Sequence, residues 1–72
     1  MNKYDWSNMP YSVKFIATDN VGGKLISWGY HVKPRKMDSI WVCDKSRCDP
    51  VLIGIDIFKG NWQDSLEERP NE

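Results

Sequence analysis

Apolar positions along the chain alternate with polar ones in short blocks, and turn-forming residues separate the blocks. Residues 13–18 read as a first strand. Val13, Phe15 and Ala17 point one way and Lys14, Ile16 and Thr18 the other, as a pleated backbone requires. Pro10 biases Met9 away from helical backbone and marks the entry to that strand. Asp19-Asn20-Val21-Gly22-Gly23 follows, and its Asp, Asn and paired Gly supply the positive φ of a tight reversal. It is the clearest hairpin signal in the chain. Residues 24–32 are the strongest strand: Ile26, Trp28, Tyr30 and Val32 alternate with Ser27, Gly29 and His31, which predicts one buried face. Gly29 marks a bulge or a close approach by a neighbouring ring.

Pro34 ends that strand, and residues 33–39 form a polar, basic loop. Residues 40–43 read as a short third strand, and residues 44–50 as a second polar loop. Residues 51–58 are a fourth strand, in which Val51, Ile53, Ile55 and Ile57 make a β-branched face suited to a half-buried sheet. Lys59-Gly60-Asn61 is a turn. Asn61 can cap a short helix from Trp62 to about Arg69. Asp64 suits its positive end, Trp62 and Leu66 share a face, and Pro70 stops it. The expected fold is α+β, mainly β: a small four-stranded antiparallel meander sheet with a short C-terminal helix. It forms a single domain over residues 1–72, with an irregular lead-in at 1–10 and a frayed tail at 70–72. Trp6 is expected to tuck back onto the sheet.

With 72 residues, only about 60% of the unfolded surface is buried on folding, so the core is thin. Trp6, Trp28, Trp41, Trp62 and the Tyr and Phe rings compensate, since each buries about 150–250 Å². Lys and Arg number ten, as do Asp and Glu. That balance argues against a dedicated nucleic-acid coat, which rests on excess positive charge. The distribution is uneven: basic residues gather from Lys24 to Arg47 and acidic ones from Asp56 onward. No stretch reaches the roughly 20 apolar residues of a membrane span, and the opening MNKYDWSNMP lacks the apolar core of a secretory signal. The expectation is a soluble, cytoplasmic protein with no membrane partner.

Candidate chemistry is sparse. Cys43 and Cys48 are spaced C-x4-C. Zinc sites use two such pairs or a pair with a His pair, and here His31 is the lone histidine, with Asp44 or Asp49 as remote fourth ligands. A disulfide across the loop would contribute about 2 kcal/mol by loop entropy. In a reducing cytosol two free thiols are the default, with no metal and no cofactor. A nucleophile needs a neighbouring base, and Cys43 with His31 has no identifiable orienting residue, so no catalytic residue is assigned and an enzyme is not expected. Gly22-Gly23 lacks the Lys-Ser/Thr of a phosphate loop. Trp28, Tyr30 and Trp41, flanked by Lys33, Arg35 and Lys36, could instead form a stacking platform for single-stranded nucleic acid; the plainer reading is that these rings cover the core.

The order of features resembles a group of small uncharacterised accessory proteins of tailed phages and prophages of enteric bacteria. The resemblance rests on Trp6 shortly before Pro10, the Ile16-Ala17-Thr18-Asp19 strand end with its glycine turn, the aromatic strand closing on Lys33-Pro34, the Trp41 strand and the Trp62–Pro70 tail. It implies no activity and no catalytic residues. It does imply a protein that binds and modulates a host protein, for example a defence factor, or a phage protein. Trp, Tyr and Arg dominate interface energetics, so Tyr30, Arg35, Lys36, Trp41 and Arg47 are the expected partner-binding residues. A single-stranded nucleic-acid-binding β-module and a homodimeric structural protein joined at a strand edge or aromatic face are the alternatives.

Overall fold

A computed structural model describes residues 2–7, 9–38, 40–43 and 49–70. The hairpin forms where the turn residues place it. β1 (Phe15–Val21) and β2 (Lys24–Tyr30) pair antiparallel, with Val21 opposite Lys24. Gly22 and Gly23 make the connection at φ 60° and 91°, the positive φ that a type I′ hairpin turn needs at both central positions. The Asn20 side chain accepts from the Gly23 amide and closes the turn.

Each hairpin strand gains one further neighbour. β5 (Val51–Ile55) adds to the free side of β2, and β6 (Glu67–Glu68) to the free side of β1. The result is a four-stranded antiparallel sheet in the order β5-β2-β1-β6. β3 (Arg35–Lys36) and β4 (Trp41–Val42) form a separate two-stranded ribbon.

Three expectations are corrected. The strand at 40–43 does not enter the main sheet as a third meander strand. Its Trp41 amide donates to the Asp19 carboxylate at 2.7 Å and its ring is buried beside Ala17, so the ribbon lies on a sheet face. The basic segment expected to be only a loop supplies β3. The C-terminal helix is replaced by a 3-10 turn, Trp62–Asp64, followed by β6. Asn61 does cap that turn, accepting from the Gln63 amide. The competing demand is the free side of β1. Ser65 Oγ accepts from the Thr18 amide, and the Arg69 amide donates to the Lys14 carbonyl. A helix would turn the Arg69 amide inward, away from Lys14, and a segment this short gains little helical stability by itself. Among the described residues there is no α-helix, and none long and apolar enough to cross a membrane.

Both faces of the sheet are covered. On one face Ile16 and Thr18 lie under Tyr4, Val13 and Phe58, with Trp6 and Met9 of the lead-in packed against them. On the other face Ala17 and Tyr30 lie under Trp41, with Phe15, Trp28, Cys43, Trp62 and Leu66 around them. The first core is stitched by hydroxyls. Tyr4 Oη donates to the Ser65 carbonyl at 2.8 Å and lies 2.8 Å from Thr18 Oγ1, which lies 2.7 Å from Ser27 Oγ. A carbonyl only accepts, so the tyrosine's one proton is committed to it. Thr18 therefore donates to Tyr4, and Ser27 donates to Thr18.

Gly29 shows why the strand carries a glycine. A Cβ there would stand 2.8 Å from a Val13 methyl and 3.1 Å from Ile53 Cδ1. Of the bulge or ring contact expected at Gly29, the structure shows a close approach made by aliphatic side chains and not by a ring, with the register shift lying between Ser27 and Trp28.

Candidate functional site

β5 differs from every other strand. Its alternation breaks at a register shift against β2: Ile26 faces Ile55 and Ser27 faces Gly54, but Trp28 faces Leu52 and Gly29 faces Val51. Ile53 is thus the extra residue of a bulge, and a bulge switches which side chains share a face. Val51 and Gly54 fall on the Thr18 face, Leu52 and Ile55 on the Ala17 face. The β-branched row expected to be buried is therefore split. Only Ile53 packs into the core. Val51, Leu52, Ile55 and Ile57 remain 45%, 52%, 51% and 48% exposed.

The backbone of β5 is open as well. The Asp56 amide donates inward to the Leu25 carbonyl at 2.6 Å. By the two-residue period of a strand, the Ile55 amide then points outward. No strand pairs with that outer side among the described residues. Asp56, at φ 58°, turns the chain away, and its carboxylate accepts from the Leu25 amide. Between Val51 and Ile55 there is no charge at all.

The opposite edge is built differently. β6 is two residues long and both are glutamates. Glu67 accepts from the Lys3 amide and from Trp6 Nε1, and Lys3 Nζ donates to the Asp64 and Leu66 carbonyls. Short length, charge and covering chain are the usual means of blunting a sheet edge. Here they protect one edge and leave the other bare.

The expected partner-binding residues fall elsewhere. Tyr30 and Trp41 come together, but in the core, 3% and 9% exposed; Tyr30 Oη donates to the Trp41 carbonyl at 3.3 Å. The aromatic platform is thus spent on covering Ala17, with Trp28 half-buried beside it. Arg35 and Lys36 are exposed on the ribbon, opposite Val42 and Trp41. Arg47 lies outside the described residues, as do most of the loop expected at 44–50 and the end of the expected tail. His31 is exposed just past β2.

The expectation of free thiols is corrected at Cys43, which is disulfide-bonded. The chain's other cysteine, Cys48, is outside the described residues. A disulfide sulfur is no thiolate ligand, and no cluster of three metal-binding side chains occurs among the described residues. The reducing-compartment premise behind the free thiols does not decide this pair, whose C-x4-C spacing alone made a bridge feasible.

Asp19 is the buried carboxylate. Burial pushes its pKa up, opposed by the hydrogen bond from the Trp41 amide. Tyr30, desolvated and facing the Asp19 charge, is pushed up to about 12. Both groups are tied to Trp41, and they anchor the ribbon to the sheet.

No family model, no curated protein and no solved structure matches the chain. Fold and site together define a small β-sheet domain with one guarded edge and one open, apolar edge. The residues of that open edge were missed by a reading tuned to aromatic and basic side chains. The available signal was a run of apolar residues on both sides of a strand, interrupted by Gly54.

Proposed function

We propose that this chain is a non-enzymatic interaction module that binds and modulates a host or phage protein, and that β5 is its contact edge. The observation that carries this reading is the uncharged outer edge of β5, with Val51, Leu52, Ile55 and Ile57 exposed around it. An open strand edge offers a partner main-chain hydrogen bonds, and alternate side chains supply the selectivity. Singly scattered surface apolar residues are ordinary, but a contiguous group at an unpaired edge is the pattern of an interaction site. The motif resemblance to phage accessory proteins supports the choice of partner class.

The test is affinity capture from an enterobacterial lysate with three baits in parallel: the unaltered chain, Leu52→Lys and Lys36→Ala. A partner held by the first and third but lost from the second supports the reading. A partner held equally by Leu52→Lys places the contact elsewhere.

A further inference from the structure

Resting on the reading of β5 as a contact edge, we propose that in the absence of the host or phage protein this edge pairs with β5 of a second copy of this chain. The two strands pair antiparallel about a two-fold axis and join two four-stranded sheets into one. Three observations favour a second copy over another occupant.

First, the two edges are unlike. β5 is long, neutral and open, whereas β6 is a pair of glutamates covered by Lys3 and Trp6. Head-to-tail pairing of β5 onto β6 is blocked, so like edge meets like edge. Such pairing closes after two copies, as an isologous contact does. Second, residues 51–55 carry no charge. Any antiparallel register within that stretch brings no like charges opposite one another, the usual bar to self-pairing. Third, a two-fold axis normal to the sheet keeps corresponding faces on the same side. Leu52 and Ile55, paired with Trp28 and Ile26 on the Ala17 face, would then meet their counterparts. The half-buried Trp28 and Ile26 of both copies would join one apolar strip.

Sedimentation velocity over a micromolar-to-millimolar series tests this, using the unaltered chain, Leu52→Lys, Ile55→Lys and Glu68→Lys. Far-ultraviolet circular dichroism checks that each variant folds, and the targeted side chains are exposed enough for this to be expected. The expected result is an apparent mass that doubles from 8.4 kDa as concentration rises. Leu52→Lys and Ile55→Lys should each weaken self-association about tenfold or more, because they set like charges facing across the axis. Glu68→Lys, on the other edge, should leave it unchanged. A single 8.4 kDa species throughout, or a dimer indifferent to both β5 variants, overturns the proposal. A monomer whose captured partner is still lost on Leu52→Lys removes the dimer and leaves the contact edge standing. A monomer whose capture ignores Leu52→Lys removes both.

Discussion

Thr18 and Ser27 stand directly opposite each other in the central strand pair, with their hydroxyls 2.7 Å apart and both residues fully buried. Two hydroxyls at the middle of so small a sheet are tolerable because each has a partner: Ser27 donates to Thr18, Thr18 to Tyr4, and Tyr4 to the Ser65 carbonyl. No buried side-chain polar atom lacks a partner among the described residues. The network ties the lead-in and the C-terminal segment to the hairpin.

Removing both hydroxyls should therefore cost less than the two single removals together. Thr18→Val leaves Ser27 buried without its acceptor, and the expected loss is about 1–3 kcal/mol. The double variant Thr18→Val with Ser27→Ala should lose less than the sum of the single variants, since neighbours in one network couple. Urea denaturation of the three variants reads the coupling directly. Strict additivity would mean that the pair does not interact.

Gly29→Ala should be destabilising even though alanine suits a strand better than glycine. The new methyl meets Val13 Cγ1 at 2.8 Å and Ile53 Cδ1 at 3.1 Å. Overpacking of this kind costs about 1–3 kcal/mol. Trimming the facing side chain, as in Gly29→Ala with Val13→Ala, should recover part of what Gly29→Ala loses relative to Val13→Ala alone. Thermal unfolding of the set decides it.

The Asp19–Tyr30 pair makes stability fall toward high pH. Tyr30 holds its proton up to about 12, against an ordinary value of 10.0. Over that interval the unfolded chain sheds a proton that the folded chain keeps, so unfolding is favoured as pH rises. Asp19 has the same sign lower on the scale. Its folded pKa lies above the ordinary 3.8, so stability declines as pH climbs from that value through the folded one. Asp19→Asn keeps an acceptor for the Trp41 amide and removes the charge. It should abolish the acidic decline and lower the Tyr30 pKa from about 12, with burial still holding it above 10.0. Tyrosinate absorbance and chemical-shift titrations of both proteins measure this. A Tyr30 titration unmoved by Asp19→Asn would show that the two do not sense each other.

Reduction should loosen the domain without dissolving it. Cys43 packs against the cluster of Ala17, Tyr30 and Trp41, and its disulfide restrains the end of β4. With the C-x4-C spacing to the other cysteine, loop entropy gives about 2 kcal/mol of stabilisation. Urea titration with and without dithiothreitol should show a loss of that order, and an unchanged midpoint would contradict it.

The hairpin was legible because its signals are local: Gly22-Gly23 needs no tertiary context, and the alternation of residues 24–30 follows the pleat. What lay beyond reach was long-range. The pattern at Trp62 and Leu66 fits a helix taken alone, yet the unpaired side of β1 claims that segment through Ser65 and Arg69. The β-branched row from Val51 to Ile57 predicts a buried face, and nothing local in it foretells that one extra residue opposite Ser27 and Trp28 would split the row. Tyr30 and Trp41 were legible as important rings, but composition does not distinguish a ring that covers Ala17 from one that meets a partner.

The outer side of β5 is tested most directly by amide hydrogen exchange at Ile55 and Asp56 across a dilution series. Asp56 donates to Leu25 within the sheet and should stay protected at every concentration. Ile55 should exchange rapidly in dilute solution and become protected as the protein is concentrated. An Ile55 amide protected equally at every dilution would mean that the chain already covers its own edge, and β5 would then not be an open site.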